Sequence, residues 1–94
     1  MKNIPVIIKK KYLFFRNETN YLKRIIKERK SKIIYLDFSK VIFFSRSFAD
    51  EFLNTIENLK KEKIIVKIKN LKPKLEFFLQ QIKEKKEEIK EEVK

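Results

Sequence analysis

Asp37-Phe38-Ser39-Lys40-Val41-Ile42-Phe43-Phe44-Ser45-Arg46-Ser47-Phe48-Ala49-Asp50-Glu51-Phe52 changes its hydrophobic period in mid-course. Its first residues close an apolar run in an acid. A short turn and a Ser-x-Ser bend follow, and then helical spacing begins. Phe48, Phe52, Ile56 and Leu59 recur on one stripe, with Ala49 and Leu53 beside it, which predicts a helix from Phe48 to about Lys60. Ser47, with Asp50 three residues on, has the form of a near capping box for that helix. Upstream, Ile33-Ile34-Tyr35-Leu36 makes Lys32–Phe38 almost continuously hydrophobic. Such a run predicts a central strand covered on both faces, with Val41–Phe44 extending the apolar material to the bend.

Working outward, Ile64–Ile68 is β-branched and strand-like, and Asn70-Leu71-Lys72-Pro73 reads as a turn into a further helix. That helix turns Leu75, Phe78, Leu79 and Ile82 inward. Residues 83–94 read as a charged helical extension that protrudes and frays, with Lys83–Glu87 and Glu87–Lys90 spacings and only Ile89 and Val93 apolar. On the other side, Asn17 or Thr19 can cap a helix to about Arg29 with Leu22, Ile25 and Ile26 on its apolar face. Ile4–Ile8, with Pro5 near its start, and Tyr12–Phe15 are two further apolar runs. Whether the Lys9–Lys11 triplet makes them a hairpin or lies within one bent strand stays open, since there is no Gly to mark a tight turn. The order β(β)αβαβα predicts an α/β protein. One domain, residues 1–82, is expected to hold a mainly parallel central sheet of about three to five strands with three helices.

Composition removes several chemistries. Without Cys there is no disulfide, thiolate nucleophile or Cys-ligated metal. Without His the commonest general base and metal ligand are gone. Without Gly neither a P-loop nor a dinucleotide-binding fingerprint can form. The expectation is a protein without enzymatic activity, catalytic residues, metal or cofactor. No apolar run is long enough for a membrane span and the first residues lack a signal-peptide core, so a cytoplasmic location away from membranes is expected.

The net charge of +12 is concentrated early: residues 1–35 carry eleven Lys/Arg against two acids. Lys23, Arg24, Lys27, Arg29, Lys30 and Lys32, with Lys9–Lys11, can form a basic face for nucleic acid, or simply a solvated face in a Lys/Ile/Glu/Asn-rich chain. Asp37 and Ser39 end the central strand where α/β folds place ligands, and equally suit a turn-stabilising pair. Asp50 and Glu51 are adjacent, so they point apart on a helix, and dipole compensation accounts for both. In an extended Phe43-Phe44 one ring points away from the core, unless a neighbouring helix covers it. An exposed Phe beside Arg46 makes a good anchor for a partner.

The aspartate–phenylalanine pair at Asp37-Phe38, the small turn, and Ser45-Arg46-Ser47-Phe48-Ala49-Asp50-Glu51 together resemble the STAS-like domain family of unknown function. More distantly, residues 12–82 look like the STAS domains of anti-sigma-factor antagonists. The resemblance implies a small α/β module that binds a regulatory protein partner, often a histidine-kinase-like ATPase that phosphorylates a serine at the helix start. Here Arg46 stands where that serine would lie, and Ser45 where an acid usually precedes it. Ser45 and Ser47 remain as the candidate phosphorylation sites. The implied docking surface is Ser45, Arg46 and Ser47 with Asp50, Glu51 and Asn54 on the following helix. The alternative is a basic nucleic-acid-binding protein that uses residues 9–32, Lys23, Arg24, Lys27 and Lys30 among them. Homo-oligomerisation through the C-terminal helix is a third possibility.

Overall fold

Val6–Ile7 (β1), Ile33–Asp37 (β3) and Ile65–Lys69 (β5) form a parallel sheet in the order β1-β3-β5, while Tyr12–Leu13 (β2) and Phe43–Phe44 (β4) form a second parallel pair. Helices Glu18–Glu28 (α1), Arg46–Lys61 (α2) and Pro73–Glu92 (α3) complete the chain. The computed structural model describes the backbone of residues 4–92 and the side chains of residues 4–86. Met1–Asn3, Val93, the Ile89 side chain and the Glu87–Lys90 pair lie outside the described residues.

The α/β expectation holds, with a mainly parallel sheet and three helices. The N-terminal segment is neither a hairpin nor one bent strand. β1 pairs with β3 and β2 with β4, so residues 8–11 carry the chain from one sheet to the other. Pairing of Tyr12 with Phe43 and of Leu13 with Phe44 is what splits β2 from β1.

The central strand is covered on one face only, in contrast to the expectation. Ile34 and Leu36 are buried, together with Val6 and Ile8 and beside the half-buried Val66 and Ile68, under the helices. On the opposite face Ile7, Ile33 and Ile65 are exposed and Tyr35 is half-buried. A continuous apolar run looks doubly covered because β-branched residues suit a pleated surface whether or not a second layer packs on it. All the helical layer lies on one side.

The core centres on Phe38, Phe44, Phe48 and Phe52, each at most 1% exposed. Their ring centroids lie 5.4 to 6.4 Å apart, and Phe78 of α3 stacks on Phe44 at 5.9 Å. Pairs at these separations contribute about 0.5–1.5 kcal/mol each beyond area burial. Leu75, Leu79 and Ile82 bring the first half of α3 onto the same core. The backbone of the charged extension continues α3 unbroken to Glu92.

Helix α2 begins at Arg46, two residues before the expected Phe48, and its cap is Ser45 rather than Ser47. The Ser45 hydroxyl accepts the Phe48 N–H at 3.0 Å from an extended backbone, which is the geometry an N-cap needs. Both serines precede acids and helical spacing, so pattern alone does not separate them. At its other end α2 closes in a Schellman motif without glycine. Lys63 adopts φ 68°, with Lys63 N–H donating to Lys60 and Ile64 N–H to Leu59. Lys30 repeats the left-handed position, φ 54°, after α1.

Candidate docking site at the Ser45 bend

Strand β2 alternates: Leu13 points into the core, while Tyr12 and Phe14 on either side of it are exposed. β4 does the same, with Phe44 inward and Phe43 outward. Because Tyr12 and Phe43 are paired in register, their rings share one face. Phe14 stacks on Tyr12 at 5.7 Å with planes 4° apart and meets Phe43 at 5.9 Å; Phe15 joins edge-on at 6.4 Å. Exposures of 49% for Tyr12, 47% for Phe14, 67% for Phe15 and 42% for Phe43 make a contiguous aromatic surface outside the core.

Two anchors hold that surface in place. The Ser45 hydroxyl, besides capping α2, donates to the Phe14 carbonyl at 2.5 Å, and the Ser45 N–H donates to the Leu13 carbonyl. Glu18, in the first turn of α1, reaches back to accept the N–H groups of Phe14 and Phe15 at 2.9 and 3.1 Å and the Lys10 ammonium. Partial burial pushes the Glu18 carboxyl up, but the bonds from Lys10, Phe15 and Phe14 outweigh it, and its pKa lies below the ordinary value. Neither Asn17 nor Thr19 caps α1 through its side chain: Asn17 makes no such bond and the Thr19 hydroxyl donates to Arg16. Glu18 instead serves the two amides that precede the helix.

The residues singled out around the bend divide. Arg46 and Ser47 are exposed, and Arg46 lines a shallow cleft with Phe78, Ile82 and Lys85. Asp50 is half-buried against α3, where Lys86 donates to it at 2.6 Å. Glu51, also half-buried, pairs with Arg16 at 3.7 Å. Asn54 is exposed, one turn along, in the groove between α2, β5 and α3. So, among the described residues, α2 presents Arg46, Ser47 and Asn54 freely, while Asp50 and Glu51 serve internal ion pairs and Ser45 serves the fold.

The basic candidates differ in their surroundings. Lys27 pairs with Glu62, just past the end of α2, at 3.4 Å; Lys23 is half-buried on the same side of α1, Arg24 is exposed off that line, and Lys30 sits in the left-handed turn. Asp37 accepts the Ser39 N–H at 2.8 Å and the Asn70 amide at 3.2 Å, and those bonds hold its pKa below the ordinary value. Lys72 donates to the Ser39 carbonyl at 2.8 Å. The Asp37–Ser39 pair is thus a turn brace at the carboxyl end of the sheet. No helix among the described residues is long and apolar enough to cross a membrane.

Comparison of the chain with protein-family models, curated proteins and solved structures finds no match.

Proposed function

We propose that the chain is a non-enzymatic, cytoplasmic protein-interaction module of STAS-like type that docks a regulatory protein partner through the aromatic surface beside the Ser45 bend. The observation that carries this is the cluster of Tyr12, Phe14, Phe15 and Phe43, exposed yet fixed by Ser45 and Glu18. Rigid aromatics cost little entropy on binding and are the residues that dominate interface energetics. Arg46 and Ser47, next along the chain, supply free polar contacts at the edge of the bend. The resemblance at Asp37–Phe52 supports the choice of a regulatory partner, a histidine-kinase-like ATPase being the class it implies. Ser47, exposed in the first turn of α2 beside Arg46, is the serine at which a phosphate would meet the helix N-terminus without breaking an internal bond.

The test is affinity capture from nuclease-treated native lysate at moderate salt, with wild type beside Phe43→Ser and Phe14→Ser variants whose folding is verified by circular dichroism. A stoichiometric protein recovered by wild type and lost by both variants supports docking here. Equal recovery by the variants overturns it. Single-stranded nucleic acid is the second reading, since exposed rings beside Lys11 and Arg16 also suit base stacking. It predicts binding to an oligonucleotide that collapses between about 50 and 200 mM salt.

A further inference from the structure

β5 is an edge strand, and among the described residues no strand pairs with its outer side. Its ladder to β3 uses Ile65, Lys67 and Lys69: Ile65 N–H donates to the Lys32 carbonyl, and the Lys69 carbonyl accepts from Phe38 N–H. In a parallel ladder alternate residues turn both backbone groups to the same neighbour, so Val66 and Ile68 direct theirs to the free edge. Beside that edge α2 and α3 wall a groove of about 930 Å³. Leu53, Ile56, Val66, Ile68 and Leu71 are apolar residues of its lining, each half-buried. Among the described residues the strand carries neither a Pro nor a bulge to interrupt pairing.

We infer that β5 accepts an added strand from a partner: an extended segment with apolar residues at alternate positions and acidic residues between them. Its apolar side chains would enter the groove against Leu53 and Ile56, completing a layer that the three-stranded sheet leaves unfinished. Its intervening residues would lie beside Lys67 and Lys69 on the opposite face. Lys67 pairs in register with Tyr35, not with an acid, whereas Lys69 pairs in register with Asp37 and lies over the Tyr35 ring at 4.9 Å. Lys67, the lysine with no acid opposite it, selects the occupant. A second copy of this chain offering its own β5 would bring Lys67 and Lys69 toward the same two lysines, and like charges across a strand pair are destabilising. An acidic strand turns the same positions into cross-strand ion pairs. Strand addition draws affinity from main-chain bonds and specificity from alternate side chains. It is independent of the aromatic surface.

A short synthetic peptide alternating Val with Glu is the probe, with a Val/Lys counterpart as control, and amide hydrogen exchange followed by NMR is the readout. The Glu peptide is expected to slow exchange at Val66 and Ile68 by about tenfold or more, and the Lys peptide to leave it unchanged. Val66→Pro removes an edge N–H but no ladder bond, so it should abolish that protection. Lys67→Glu, which keeps every backbone group, should reverse the preference toward the Lys peptide and carries the test if the proline variant misfolds. Phe43→Ser should leave peptide binding intact, which separates failure here from failure of the aromatic surface. Equal protection by both peptides, no protection by either, or protection that grows with protein concentration alone would each overturn the inference.

Discussion

The Ser45 hydroxyl donates to the carbonyl of Phe14, thirty-one residues earlier in the chain. One side chain therefore caps α2 and fastens the end of β2, tying the start of the helix to the segment that displays the aromatic surface. Loss of that hydroxyl removes two bonds at once, and a phosphate on it would displace both.

Ser45→Ala is expected to destabilise the fold by about 1–2 kcal/mol in urea unfolding, the cost of losing a cap. Ser47→Ala should change stability by no more than about 0.5 kcal/mol, since Ser47 is exposed and Ser45 holds the cap. Equal effects of the two variants would contradict the assignment. Ser47→Asp, with its charge in the first turn of α2, should stabilise by about 0.3–1 kcal/mol at low salt.

Glu18 and Asp37 both have folded-state pKa values lowered below their ordinary ones. The unfolded chain then binds more protons, so stability rises with pH across that region. Their contribution is complete above the ordinary carboxylate range and is lost as pH falls from there through the lowered values. The urea midpoint should fall below about pH 4. In Glu18→Gln the fall should be shallower, and the amides of Phe14 and Phe15 should lose protection first.

Lys63 occupies a left-handed position that costs an L-residue about 1–2 kcal/mol relative to Gly. Part of that gain is offset by the freedom glycine adds to the unfolded chain. Lys63→Gly should raise stability by a net ~0.5–1 kcal/mol, measurable as a higher thermal midpoint. Lys63→Val, β-branched in the same turn, should lower it.

Phe43 and Phe44 are neighbours in sequence but differ sharply in burial, 42% against 0% exposed. Phe44→Ala is expected to cost about 3–5 kcal/mol, because its ring packs against Phe38, Phe48 and Phe78. Phe43→Ala should cost about 1 kcal/mol or less. Denaturant unfolding of the two variants side by side checks the orientation of β4.

Period and composition were enough to read most of this architecture. The switch from strand to helix at Asp37–Phe52, the β-branched run before Lys69 and the apolar stripe of α3 are local signals, and all three elements form. With no Gly in the chain, other residues take the left-handed positions: Lys30 and Lys63 after α1 and α2, and Asn70 after β5. Tyr12–Phe15 is apolar throughout, so the alternation that exposes Tyr12 and Phe14 was not legible there.

Other features follow only from what the elements pack against. Ser45 and Ser47 have the same chemistry, and the bond to Phe14 exists only once β2 lies beside β4, so the choice of cap is tertiary. Ile33 and Ile34 are chemically identical, yet one faces solvent and the other the helices, because all three helices settle on one side of the sheet. Asp50 and Glu51 are also alike in the sequence. Their ion pairs with Lys86 and Arg16 come from the placement of α3 and of the loop before α1. Short-range spacing sets what each segment can become. Which of two equivalent residues is buried, paired or free depends on contacts between segments far apart in the chain, and a local pattern does not carry that information.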